Sequence, residues 1–182
     1  MPTLLDQLAG GDPRSVGNAA AVAAQVLAEP SRLDELFDGI ACDDELIRAR
    51  ASDALEKVSA LRPELLRPYK RELLTRVLPL DAWIVRAHAC QILPRLDNLT
   101  SAERRRARQT VRGFLTDRSS IVKAVALECL VRLALPARDP ATRRTTRRLV
   151  DTCATKGDTP ALRARARKMQ RLLAKLARVP RA

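Results

Sequence analysis

Three stretches of this chain repeat one pattern: DDELIRARASDALEKV (43–58), DAWIVRAHACQILPRL (81–96) and DRSSIVKAVALECLVRL (117–133). Each carries an Ala-x-Ala, at Ala49/Ala51, Ala87/Ala89 and Ala124/Ala126, and a further copy stands at Ala164/Ala166. From Ala49 the copies follow at intervals of 38, 37 and 40 residues, and a looser copy at Ala19/Ala21 precedes Ala49 by 30. Periods in this range belong to stacked helical hairpins, because each hairpin buries its apolar face only against the next.

The residues around the alanines sharpen the pattern. A basic residue precedes the first alanine in four copies (Arg48, Arg86, Lys123, Arg163), and an apolar one precedes that (Ile47, Val85, Val122, Leu162). Ala54/Val58, Ile92/Leu96 and Cys129/Leu133 then keep one helix face apolar. Asp43, Asp81 and Asp117 stand where helix N-caps belong, and Asp12-Pro13 and Thr159-Pro160 pair a cap with proline at the first helical position. The segments between these helices, at 30–41, 68–78, 100–115 and 140–154, also carry helical spacing, and Thr100 with Glu103 predicts a capping box. Aromatic residues make up only 2% of a chain that is 46% hydrophobic, so the core is built from Ala, Leu, Val and Ile. The expectation is an all-α protein of about ten helices in five hairpins.

The pattern D-x-x-x-[IV]-[RK]-A-x-A-x-x-x-L resembles the HEAT repeats of the armadillo-type superhelix, well over residues 43–134 and loosely at both ends. The resemblance implies a right-handed α-α superhelix, a solenoid forming one domain over 1–182 with hairpins near 1–29, 30–60, 61–98, 99–135 and 136–180. It also implies that Asp43, Arg48, Asp81, Arg86, Asp117 and Lys123 join neighbouring repeats in a polar ladder and are structural.

The sequence points away from catalysis. The six glycines form no phosphate-cradling loop, and Gly10-Gly11 reads as a turn between helices. His88, the one histidine, lies two residues before Cys90, about 200° away around a helix, so the two do not meet as a catalytic pair. It occupies the middle of Ala-x-Ala, a varying place, and reads as an incidental surface residue. Cys42, Cys90, Cys129 and Cys153 are far apart and read as small apolar side chains rather than metal ligands or a disulfide framework. Some DNA glycosylases share the HEAT-like architecture. This chain has one tryptophan, Trp83, beside an Asp81 that reads as a cap, and lacks the aromatic platforms that damage recognition uses. No cofactor, metal or small-molecule substrate is indicated. Neither a membrane span nor a secretory leader is recognised, and a cytoplasmic protein is expected.

Charge carries the functional signal. Residues 1–60 hold 5 basic and 11 acidic residues, a net of −6, whereas residues 61–182 hold 29 and 10, a net of +19. Of the 34 basic residues 28 are arginine, whose planar fork grips carboxylate or phosphate bidentately. Arg104, Arg108 and Arg112 recur at i, i+4 and i+8, and Arg143/Arg147 and Arg144/Arg148 repeat that spacing. The last helix gathers Arg163, Arg165, Arg167, Lys168 and Arg171. This last group and Arg104, Arg108 and Arg112 are the candidate surface for an anionic partner, with Gln91, Arg95 and Arg132 as candidate contacts on the concave side of the superhelix. The reading is a non-enzymatic scaffold for a protein with an acidic surface. Nucleic acid held through its phosphates is the alternative.

Overall fold

The computed structural model describes residues 3–12, 15–137 and 139–178, and every regular element among them is helical. Ten α-helices are present: α1 (Leu4–Leu8), α2 (Ala19–Ala28), α3 (Leu33–Ala41), α4 (Glu45–Leu61), α5 (Lys70–Glu72), α6 (Trp83–Ile92), α7 (Ser101–Gly113), α8 (Ser120–Ala134), α9 (Pro140–Lys156) and α10 (Pro160–Ala177). α5 runs on into a π-turn at Leu73–Val77. Contacts divide the chain into two compact units, Met1–Leu99 and Thr100–Ala182.

In the first unit α3 packs on α4, and the helices α2, α4 and α6 lie in a row, each against the next. In the second, α7 packs on α8 and α9 on α10, while α8 and α10 pack against each other. Hairpins therefore stack within each unit. The repeat provides the surface for this: Ala51, Ala89, Ala126 and Ala166, the second alanines of the four copies, are all buried, and their missing bulk lets helices approach closely. Around them Leu36, Ile40, Leu55 and Ile92 fill the first core, and Leu127, Val131, Val150, Leu162 and Met169 fill the second. Each such side chain is worth about 1.5–3 kcal/mol of transfer free energy.

The helix starts follow capping chemistry, with four shifts from expectation. Thr100 and Glu103 form the predicted capping box, and Thr159 accepts from the Leu162 amide with Pro160 at the first helical position. The cap of α4, however, is Asp44, which accepts from the amides of Leu46 and Ile47; its neighbour Asp43 is exposed and caps nothing. α8 is capped by Ser119 rather than Asp117, whose carboxylate instead accepts from the Ser119 amide. α6 begins after Ala82, without a side-chain cap, and Asp81 pairs with Arg86. The proposed cap at Asp12 fails as well, since α2 starts after Asn18; Pro13 lies outside the described residues. Pro94 lacks an amide proton, and α6 stops at Ile92 and passes into a 3₁₀ turn over Leu93–Arg95.

Candidate anion-binding face

α7 is amphipathic about Ala107 and Val111, which are buried. At 100° per residue Arg105, Arg108 and Arg112 fall within an arc of about 60° beside that buried seam. Together with Gln109 they line one wall of a cleft of about 190 Å³, and Thr145 and Thr146 of α9 line the other. Leu130 and Leu149 contribute apolar surface to it. The predicted stripe is thus displaced by one residue. Arg105 joins Arg108 and Arg112, while Arg104, nearer the buried seam, is half-buried and outside the lining.

Arg108 is the most confined of the three. Its Nη2 donates to Thr146 Oγ1 at 3.3 Å, and Thr146 spends its own proton on the Thr142 carbonyl at 2.8 Å. Its Nε is buried and meets no acceptor among the described residues. Burial, and secondarily the like charge of Arg112, push its pKa below the ordinary arginine value. Guanidinium charge is therefore gathered here without a carboxylate to balance it.

The outer side of α9 extends the basic character. Arg144, Arg147 and Arg148 line a shallow groove with Thr152, Thr155 and Lys156. Its one carboxylate, Asp151, accepts from Gln170 at 2.8 Å. Among the described residues no hydrogen bond or ion pair joins Arg105, Arg112, Arg147 or Arg148 to an acidic side chain.

The predicted cluster on α10 is divided. Arg163 Nη1 donates to the Gly157 carbonyl at 2.6 Å, and Arg165 forms an ion pair with Glu128 of α8. Both are half-buried and committed to the fold. Arg167, Lys168 and Arg171 remain exposed. Glu128 also accepts from Arg132 Nε at 2.7 Å; burial raises its pKa, and the two guanidinia more than offset this and hold it below the usual carboxylate range.

The expected contacts at Arg95 and Arg132 are likewise internal. Arg95 donates to the Glu56 carbonyl at 2.9 Å, to Ser59 Oγ at 2.6 Å and to Glu56 Oε1 at 2.5 Å, tying the end of α6 to α4. Gln91 is half-buried and reaches back to the Ala87 carbonyl. The residues expected to form a ladder mostly secure their own turns. Arg48 donates to the Cys42 carbonyl through Nε at 3.1 Å and Nη2 at 2.7 Å, and Arg86 Nε donates to the Leu80 carbonyl at 3.0 Å. Lys123 is the exception: it is buried and pairs with Asp158 in the turn before α10.

His88, read as incidental, proves to be fixed, and Arg50 at the equivalent place is fixed as well. His88 is 14% exposed, with Nδ1 at 2.8 Å from Ser52 Oγ and Nε2 at 3.6 Å from Asp53 Oδ1. Ser52 Oγ in turn donates to the Ala49 carbonyl at 2.7 Å. Arg50 is 4% exposed, and its guanidinium donates to the carbonyls of Leu8, Gly10, Asp12 and Ser15 at 2.5–3.2 Å. That turn closes over it because Gly10 and Gly17 have φ of +67° and +51°, and a Cβ on Gly17 would lie 2.8 Å from the guanidinium.

Cys90, Cys129 and Cys153 are buried and Cys42 is half-buried, all as free thiols. Among the described residues, no group of three or more His, Cys, Asp or Glu side chains is placed to hold a metal, and no helix is long and apolar enough to cross a membrane. Comparison with family models, curated proteins and solved structures gives no match.

Proposed function

We propose that this chain is a non-enzymatic HEAT-repeat scaffold, a right-handed α-α superhelix in the cytoplasm, that docks an acidic protein segment on the arginine face of α7 and α9. One observation carries the reading: Arg105, Arg112, Arg147 and Arg148 have no acidic partner among the described residues, whereas Arg86, Arg95, Arg132 and Arg165 are all paired internally. Gathering like charge without counter-charge works against the compact state, and an anionic ligand relieves it. Gln109, Thr145 and Thr146 in the cleft, and Thr152 and Thr155 in the groove on another side of α9, supply further hydrogen-bonding groups beside the arginines. The sequence's acidic first 60 residues favour a protein partner over a long polyanion; nucleic acid held through phosphates is the second reading.

Titration with a short poly-glutamate peptide and with a DNA duplex, each at low and high salt, tests this. The expected result is poly-glutamate binding that weakens with salt and falls at least tenfold when Arg105, Arg147 and Arg148 are replaced together by Gln. No binding at low salt, or equal binding by the triple variant, overturns the reading. Tighter binding of duplex with a steep salt slope transfers it to nucleic acid.

A further inference from the structure

We infer that the cleft between α7 and α9 is a docking site for a phosphomonoester, the phosphorylated side chain of an acidic protein partner. This rests on the reading that the α7–α9 face binds such a partner, and it adds the chemistry of the anchoring group. Three arginines line a space of about 190 Å³, several times the ~30 Å³ that one liquid water occupies. No carboxylate lines it.

The charge count selects the ligand. A phosphorylated side chain carries about −1.5 to −2 charges at neutral pH, with three acceptor oxygens. Converging guanidinium forks match such a compact dianion. A backbone phosphodiester carries one charge and continues as a chain on both sides, so it suits open rows such as Arg147 and Arg148 better than a recess. An unphosphorylated carboxylate also brings a single charge. Arg108 is held at the cleft by its Nη2, which donates to the Thr146 hydroxyl at 3.3 Å. Thr146 fixes that guanidinium from the α9 side, so the site is held by both helices. Leu130 and Leu149 add apolar contact for the carbon atoms that carry the ester.

Methyl phosphate and dimethyl phosphate, the simplest monoester and diester, serve as probes. Side-chain NMR of the arginine Nε–H groups reads the site directly. Methyl phosphate is expected to shift the Arg108 and Arg112 resonances and to bind at least tenfold more tightly than dimethyl phosphate. Its affinity is expected to rise as pH increases through about 6, where the second charge forms. Arg112→Gln, at an exposed residue whose side chain makes no hydrogen bond or ion pair among the described residues, should weaken methyl phosphate at least tenfold, and Arg171→Gln on α10 should leave it unchanged. Equal binding of monoester and diester, or indifference to Arg112→Gln, overturns the inference. Poly-glutamate titrated into the same samples separates the two levels: retained poly-glutamate binding with no monoester preference removes the phosphate site and leaves the docking face in place.

Discussion

Arg163 Nη1 lies 2.6 Å from the carbonyl oxygen of Gly157, six residues earlier in the chain. The same six-residue reach joins Arg48 to Cys42, Arg86 to Leu80 and Arg143 to Ala137. In each case the arginine is the fourth residue after the N-cap, which is Asp44, Ala82, Asp139 or Thr159. From there the side chain folds back over the helix start and holds the turn that precedes it. The arginine before Ala-x-Ala is therefore a clamp on the turn that precedes its own helix, whereas Lys123 in the same place pairs with Asp158, and partner binding has to be sought elsewhere.

Arg86→Ala is expected to lower stability by about 1–3 kcal/mol, the range for a charge-assisted hydrogen bond, because the Leu80 carbonyl loses its donor. Denaturant unfolding reads this. Poly-glutamate binding by the folded variant should match the parent, and a variant of unchanged stability that had lost binding would place Arg86 at the interface.

Arg50→Met is expected to cost about 3 kcal/mol or more, since four carbonyls around one guanidinium lose their donor together. Gly17→Ala should destabilise the same turn through its positive φ and its close approach to Arg50. Hydrogen exchange should show the loss first at the start of α2.

His88 ties acidity to stability. Burial lowers its pKa below 6.5, against an opposing pull from Asp53 and Glu56 and with a further lowering by Lys57. The unfolded chain then binds more protons than the folded one between the folded value and 6.5, so stability falls as pH drops through that window. His88→Gln removes this component. Urea unfolding at about pH 7.5 and about pH 5 should show a smaller loss of stability on acidification for the variant than for the parent. An equal loss in both would mean that the imidazole is as easily protonated folded as unfolded.

The repeat itself was readable because paired alanines recurring every 37–40 residues from Ala49 onward serve close helix contact, and that use survives changes in the residues around them. The starts of α4, α6 and α8 were readable only to within two residues, and that of α2 only to within six. Asp43 and Asp44 are chemically identical, and only the one whose carboxylate reaches the Leu46 and Ile47 amides serves as the cap. The middle of Ala-x-Ala misled for a different reason. Arg50, His88 and Arg165 differ in type, which suggests freedom, yet each reaches back to a partner 35–42 residues earlier. The residue varies because the partner does: carbonyls for Arg50, Ser52 for His88, Glu128 for Arg165. The face of α7 was legible only in part: an i+4 count gives Arg104, Arg108 and Arg112, but Arg104 lies closest to buried Val111 and the cleft takes Arg105 in its place. Which arginines are free and which are paired depends on carboxylates far away in sequence, and spacing does not reveal them.

Mapping a bound acidic peptide on the isotope-labelled protein tests the location of the docking face most directly. With poly-glutamate at low salt, chemical-shift changes should concentrate on α7 and α9, led by Arg105, Arg112, Arg147 and Arg148, and should disappear at high salt. Changes centred instead on Arg167, Lys168 and Arg171 of α10, or on Gln91 and Arg95 at the end of α6, would contradict the assignment.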